Sequence, residues 1–94
     1  MRDAHPQAGK IVRLHTNDAP DANYNLDGAE YRIEDYWQNV AGMSWMVAQG
    51  NPACLIYAMR AGFNGLPIDN EVVYGKVGGL GHLVHTSELG EELG

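Results

Sequence analysis

The sequence predicts an α+β domain in which a small antiparallel sheet, built from an N-terminal strand pair and a C-terminal hairpin, packs against a central helical segment. Three features of the chain support this prediction. Short segments near both ends alternate apolar and polar residues, a glycine-rich connector separates the last two of them, and the middle third carries helix start and stop signals. We therefore expect helices to cover one face of the sheet.

The first strand pair is predicted on either side of a polar loop. Residues 10–16 are rich in β-branched side chains and alternate, which places Val12 and Leu14 on one face of a strand. Residues 17–28 are dense in Asn, Asp, Pro and Gly, a composition typical of loops and turns. Residues 29–34 repeat the alternation and form the second predicted strand.

The middle third of the chain is predicted to be helical. Asp35 is a suitable cap for a short helix that continues through Ala41. Ser44 can cap another helical turn before Gly50. A third helical segment is predicted to begin at Pro52, capped by Asn51, and to end before Gly62, because proline favours the first helical position and glycine favours the position after the last. The apolar residues of this helix that follow i, i+4 spacing are Leu55, Met59 and Phe63.

The C-terminal hairpin is predicted from two alternating segments, residues 71–77 and 82–87, that flank the glycine-rich connector 78–81. In this register we expect the side chains of Val73 and Val84 to lie in the core. The side chains of Lys76 and Glu88 are expected to stay in solvent.

The domain boundaries follow from where periodicity begins and ends. Residues 1–9 mix charge with Pro and Gly and show no periodicity, so we predict a flexible N-terminal arm. Residues 10–89 form the single α+β domain that a chain of 94 residues is expected to contain. Residues 90–94 are predicted to be a frayed acidic tail.

Charge and composition narrow the classes of function. Twelve acidic against six basic residues give a net charge of −6, and the basic residues are scattered along the sequence. This balance disfavours binding to nucleic acid or to an anionic membrane, since both depend on clustered Lys and Arg. The chain shows no signal-peptide pattern, no apolar run long enough to span a bilayer and a single cysteine. We expect a cytoplasmic protein without a cofactor.

Cys54 is the strongest candidate for chemistry. It falls in the first turn of the predicted helix, where the helix dipole favours a thiolate. His82 and His85 follow on a predicted strand, and Asp69 or Asn70 could orient an imidazole. A cysteine at a helix start followed by a histidine on a strand is similar to the chain order of papain-like hydrolases and related acyltransferases. The alternative, which we favour, is that Cys54 is a small buried hydrophobic residue.

The polar loop contains a second candidate site. Its oxygen-bearing side chains, together with a glycine at the sixth position, have the spacing of an EF-hand calcium loop, the ligands being Asn23, Asn25, Asp27 and Glu34. The first ligand is Asn rather than Asp, Glu30 occupies a position that is normally apolar, and Pro20 is incompatible with an incoming helix. The alternative is an Asx-rich turn, which uses the same residue types.

Three other patterns are given structural interpretations. Trp37 and Trp45 are predicted to be core residues rather than anchors of an interface. The glycines after Lys76 join two strands, so they form a turn and not a phosphate-binding loop, which would have to open onto a helix. His82 and His85 lie three residues apart on a strand, so they point to opposite faces and do not suit one metal.

Three hypotheses for function remain open. The first is an acidic accessory or inhibitory module, without catalytic activity, that binds another protein through its sheet face or its helical segment. The second is a small cysteine hydrolase or acyltransferase that uses Cys54 and His82, and the third is a calcium-binding loop protein. The reactivity of the thiol separates the first two, since a catalytic thiolate reacts quickly near pH 6 and a core cysteine does not.

Overall fold

The computed structural model describes residues 2–37, 50–67, 69 and 71–93. These residues form six β-strands, one α-helix and a short 3₁₀ turn. In chain order they are β1 (Arg2–Ala4), β2 (Ile11–Leu14), β3 (Glu30–Trp37), α1 (Pro52–Asn64), β4 (Val72–Val77), β5 (Leu80–His85), the 3₁₀ turn (Thr86–Glu88) and β6 (Leu89–Glu92). The predicted α+β class is confirmed.

The strands form one antiparallel sheet in the order β5-β4-β3-β2-β6, and β1 pairs with the second half of β3. The C-terminal hairpin has the predicted register, with Val73 directly opposite Val84. In the N-terminal pair, Val12 lies opposite Tyr31. All four of these side chains are fully buried. Local alternation thus identified the inward face of both strand pairs correctly.

The sheet buries apolar side chains on both faces. One cluster contains the inward residues of the strand pairs together with Leu26 from the polar loop. The second cluster lies between α1 and the other face of the hairpin, where Cys54, Tyr57 and Ala61 contact Val72 and Leu83. Val72 and Leu83 are chain neighbours of Val73 and Val84, so the period of two places the clusters on opposite sides of the sheet.

The helix begins where the sequence predicts and ends later. The Asn51 side chain accepts hydrogen bonds from the first free backbone N–H groups, and Pro52 occupies the first turn. The predicted end before Gly62 is wrong, because the helix continues to Asn64 and closes at Gly65 with a φ of 70°. Leu66 explains why the helix ends at Gly65 and not at Gly62. Its N–H donates to the carbonyl of Ala61, and its side chain packs into the cluster between α1 and the hairpin.

An ion-paired network anchors α1 to the rest of the fold. The fully buried Arg60 donates from Nε to both carboxylate oxygens of Asp18, at 2.9 and 3.2 Å, and from Nη2 to Glu88. Asn64 donates to the same Asp18 carboxylate at 3.0 Å. The expectation that Glu88 stays in solvent is therefore wrong, as it is only 3% exposed, because its carboxylate also accepts the N–H of His85. Lys76 is partly buried.

The structure corrects the predicted ends of the domain. Arg2–Ala4 was assigned to the flexible arm 1–9 but pairs with β3. The strand Leu89–Glu92 pairs with β2, and all of it except Leu89 falls in the predicted tail 90–94. Backbone pairing along an open strand edge explains both cases, since it depends little on side-chain propensity. Gly90 suits this position because a Cβ there would collide with the carbonyl of Arg13.

The start of the predicted first helix is also corrected. Asp35 was expected to cap a helix, but residues 35–37 continue β3 and pair with β4. The strand extends beyond its predicted end, and its register against β4 shifts between Ile33 and Asp35. The remainder of that predicted helix, through Ala41, and the helical turn capped by Ser44 lie outside the described residues.

Candidate functional site

The side of α1 that faces away from the sheet carries a row of exposed apolar side chains. Leu55, Met59 and Phe63 follow one another at every fourth residue and are 40, 50 and 79% exposed. Their i, i+4 spacing identifies the helix correctly, but these residues do not form the face that packs. We call this row the helix outer face.

The face of α1 that packs against the sheet is formed by other residues than the i, i+4 row. Cys54, Tyr57 and Ala61 fit against the hairpin, and the Tyr57 hydroxyl donates to the Pro67 carbonyl at 2.6 Å. Arg60 lies one turn after Tyr57, and its ion pairs fix the rotation of the helix about its axis. The larger apolar side chains are therefore left in solvent.

The helix outer face carries no charge. The only charged residue among the 13 of α1 is Arg60, and its side chain is fully buried. Surface helices usually show charged residues opposite their apolar stripe. On a chain with a net charge of −6, an uncharged and apolar outer side of a helix is therefore unusual.

A cleft adjoins the C-terminal end of the helix outer face. It has a volume of about 320 Å³ and lies between the end of α1 and the polar loop. Its lining residues are Asn17, Asp18, Ala19, Tyr24, Phe63 and Asn64. Phe63 belongs both to this cleft and to the helix outer face, so the two form one continuous surface.

Cys54 and His82 are not arranged as a nucleophile and base. The Cys54 side chain is fully buried, and burial raises the pKa of its thiol. Burial, followed by the charge of Arg60, lowers the pKa of His82. His82 alternates with Leu83, the residue that contacts Cys54, so its ring points to the opposite face of the sheet. No hydrogen bond within the described part of the chain joins the two side chains.

The structure does bring together two other candidates from the sequence. Nε2 of His85 lies 3.2 Å from Oδ1 of Asp69, so Asp69 orients this imidazole as the sequence suggested. The partner suggested as an alternative, Asn70, lies outside the described residues. Glu71 joins the pair, a contribution that the sequence analysis missed although its position two residues after Asp69 offered a signal.

The calcium candidates are used in turn and strand hydrogen bonds. Asn25 Oδ1 accepts the N–H of Asp27 at 2.9 Å, and Asp27 Oδ1 accepts the N–H of Thr16 at 3.0 Å. Asn23 is exposed in the same loop, and Glu34 lies within β3. These contacts are typical of the Asx-rich turn that was the alternative interpretation.

Two further observations concern the aromatic residues and membrane spans. The side chain of Trp37 and all of Trp45 lie outside the described residues, so their assignment to the core stays a prediction. Within the described part of the chain, no helix combines the length and apolarity that crossing a membrane requires.

Comparisons of the chain with known proteins give no match. This holds for protein-family models, for curated proteins and for solved structures. The case for function therefore depends on the geometry described above.

Proposed function

We propose that this protein is a protein-interaction module without catalytic activity, which binds a partner protein through the helix outer face. The observation that carries the proposal is the exposure of Leu55, Met59 and Phe63 in one uncharged row. Contiguous exposed apolar surface is disfavoured in monomers unless it serves binding. Full burial of an exposed apolar side chain provides about 1.5–3 kcal/mol, so Phe63 offers the largest gain, and Leu55 and Met59, which are already half-buried, offer about half as much.

The partner segment is an amphipathic helix with an apolar stripe and basic flanks. The row from Leu55 to Phe63 extends along one side of a helix for about 12 Å, at 1.5 Å per residue, which matches two turns of a second helix. Met59 adapts to different partner side chains, and Phe63 is the anchor at the end where the cleft opens. The net charge of −6 favours Lys and Arg on the partner's flanks and speeds the encounter.

This proposal favours the helical segment over the sheet face as the binding surface. A cytoplasmic setting and a protein partner, rather than nucleic acid or membrane, remain parts of the same proposal, supported by the acidic charge and the single cysteine. The cysteine-hydrolase alternative gains no support from the burial of Cys54. The calcium alternative gains none from the hydrogen bonds of its loop.

A designed peptide provides the test. The probe is a labelled amphipathic helix of about 18 residues, or five turns, with Leu on one face and Lys on the other, and the reference is its scrambled sequence. Fluorescence anisotropy should show saturable binding of the probe and much weaker binding of the scrambled peptide. The variant Met59→Ala/Phe63→Ala should lower the affinity about tenfold or more.

Leu80 offers a matched control, because it is 70% exposed but lies on the hairpin, away from α1. Leu80→Ala should leave the affinity unchanged. Equal binding of both peptides, or an equal loss in the Leu80 variant, would refute a defined binding surface. Concentration-dependent dimerisation abolished by the Met59/Phe63 variant would mean that a second copy of this chain occupies the helix outer face, in place of a partner helix.

A further inference from the structure

Asp69, Glu71 and His85 place three metal-ligating side chains together, on a part of the surface that the proposed interaction does not use. One ligand atom from each residue lies within 4.8 Å of the other two. His85 comes from the end of β5, and the two acidic residues closely precede β4 in the sequence. We refer to these three residues as the carboxylate–imidazole cluster.

The imidazole of this cluster is held in one orientation. His85 is buried, and its Nδ1 lies 2.9 Å from Oγ of Ser87. Nδ1 also accepts the backbone N–H of Ser87 at 3.2 Å, so the ring proton lies on Nε2 and is donated to Asp69. When a metal binds Nε2, this proton moves to Nδ1, which then donates to the Ser87 hydroxyl. The contacts at both ring nitrogens hold the imidazole with Nε2 toward Asp69.

Backbone hydrogen bonds hold the Asp69 carboxylate and the backbone of Glu71. The N–H of Glu71 donates to Oδ1 of Asp69 at 2.8 Å, and the carbonyl of Glu71 accepts the N–H of Thr86 at 3.0 Å. These bonds tie Asp69 and Glu71 to the end of β5. Both acidic side chains reach solvent, so a cation has access to the cluster.

The spacing fits a small transition-metal ion. Nitrogen and oxygen ligands lie about 2.0–2.2 Å from such an ion, so neighbouring ligand atoms are about 3.0–3.4 Å apart. Nε2 of His85 is 3.2 Å from Oδ1 of Asp69 and 3.4 Å from Oδ2. Either oxygen of the Asp69 carboxylate therefore lies at the separation expected for an edge of a coordination polyhedron, and an oxygen of Glu71 lies within 4.8 Å of both other ligand atoms.

We propose that the carboxylate–imidazole cluster binds a divalent first-row transition-metal ion, with Zn²⁺ and Mn²⁺ as the ions to test. Two carboxylates neutralise the charge of the ion, and one imidazole favours these metals over Ca²⁺ and Mg²⁺, which prefer oxygen ligands throughout. Three protein ligands leave coordination positions for water.

Paramagnetic broadening by Mn²⁺ locates the site. Substoichiometric Mn²⁺ added to the ¹⁵N-labelled full chain should first broaden the amide signals of Glu71, Thr86 and Ser87. Calorimetric titration with Zn²⁺ should saturate at one ion per chain. Broadening centred on the acidic strand β6, uniform broadening, or the absence of saturable Zn²⁺ binding would overturn the proposal.

Two substitutions separate this site from general attraction of cations by an acidic protein. Glu71 is exposed, so Glu71→Gln should keep the fold while weakening Zn²⁺ binding about tenfold or more. Glu91→Gln is the matched control, because Glu91 also lies beside a histidine, with 2.6 Å to Nε2 of His15. The control should bind Zn²⁺ as the native chain does. Equal losses in the two variants, or no loss in the Glu71 variant, would contradict a site at the cluster.

Discussion

Arg60 and Asp18, 42 residues apart in the sequence, form an ion pair in which both side chains are fully buried. Nε of Arg60 lies 2.9 Å from Oδ1 of Asp18. This pair determines which side of α1 faces the sheet, and so determines that Leu55, Met59 and Phe63 face solvent. The proposed function therefore depends on a contact that is not itself part of the helix outer face.

Removing the guanidinium should destabilise the fold strongly. Arg60→Ala leaves the carboxylates of Asp18 and Glu88 buried without their cation, a change that costs about 3–5 kcal/mol in comparable cases. Urea unfolding of the variant measures this loss. The exposed Arg32 is the control, and Arg32→Ala should change the free energy of unfolding by less than about 0.5 kcal/mol. Similar small effects for both variants would contradict the anchoring role of Arg60.

Asp18 should also make stability depend on pH. Burial by itself would raise the pKa of Asp18, but the hydrogen bonds from the Leu26 N–H and from Arg60 outweigh it and lower the pKa. A carboxyl group whose pKa is lowered on folding stabilises the protein above its unfolded pKa of about 3.9. This contribution disappears as the pH falls further, through the folded pKa.

Urea unfolding at a series of pH values tests this dependence. The free energy of unfolding should fall with acid below about pH 4, and Asp18→Asn should reduce that slope. Asp21→Asn removes an exposed carboxylate from the same loop and serves as the control. A slope that is unchanged in the Asp18 variant would contradict the prediction.

Cys54 should react as a core residue. Because burial raises the pKa of the thiol and the side chain is fully buried, iodoacetamide should modify native protein slowly and urea-unfolded protein at the rate of a free thiol. Cys54→Ser should destabilise the fold by about 1–3 kcal/mol, because a hydroxyl then lies among apolar neighbours, and should leave peptide binding intact. Fast alkylation of the native protein near pH 6 would instead restore the hypothesis of a nucleophile.

Val73 should contribute to stability in proportion to its burial. Val73→Ala removes two methyl groups from the cluster inside the strand pairs and should cost about 1–3 kcal/mol. Ile11→Ala is the comparison, since Ile11 lies on β2 of the same sheet but is exposed. Denaturant unfolding should give a clearly larger loss for the valine, and equal losses would mean that the strand register is wrong.

Local sequence patterns predicted the features that depend on residues close together in the sequence. The inward residues of the strands follow from a period of two, and the start of α1 follows from Asn51 and Pro52. The orientation of α1 could not be predicted in this way, because the helix has apolar residues on both sides. What decides it is the burial of Arg60, whose partners lie far away in the sequence.

The arrangement of the candidate site residues could also be predicted only in part from the sequence. The sequence suggested Asp69 or Asn70 as a partner for an imidazole of His82 or His85, and in the structure Asp69 lies beside His85. Cys54 and His82 lie on different faces of the hairpin, because alternation on β5 gives Leu83, not His82, to the face that the helix covers. The strand pairing of both chain ends depends on distant partners, and no local pattern reports it.

The most direct test of the central claim compares stability and binding in one variant, Met59→Ala/Phe63→Ala. If the helix outer face is a binding surface, the free energy of unfolding should stay within about 0.5 kcal/mol of the native value, because both side chains are already exposed. The affinity for the amphipathic peptide should fall about tenfold or more in the same protein. A loss of about 2 kcal/mol or more in stability, with the affinity unchanged, would show that this face belongs to the core and would contradict the account.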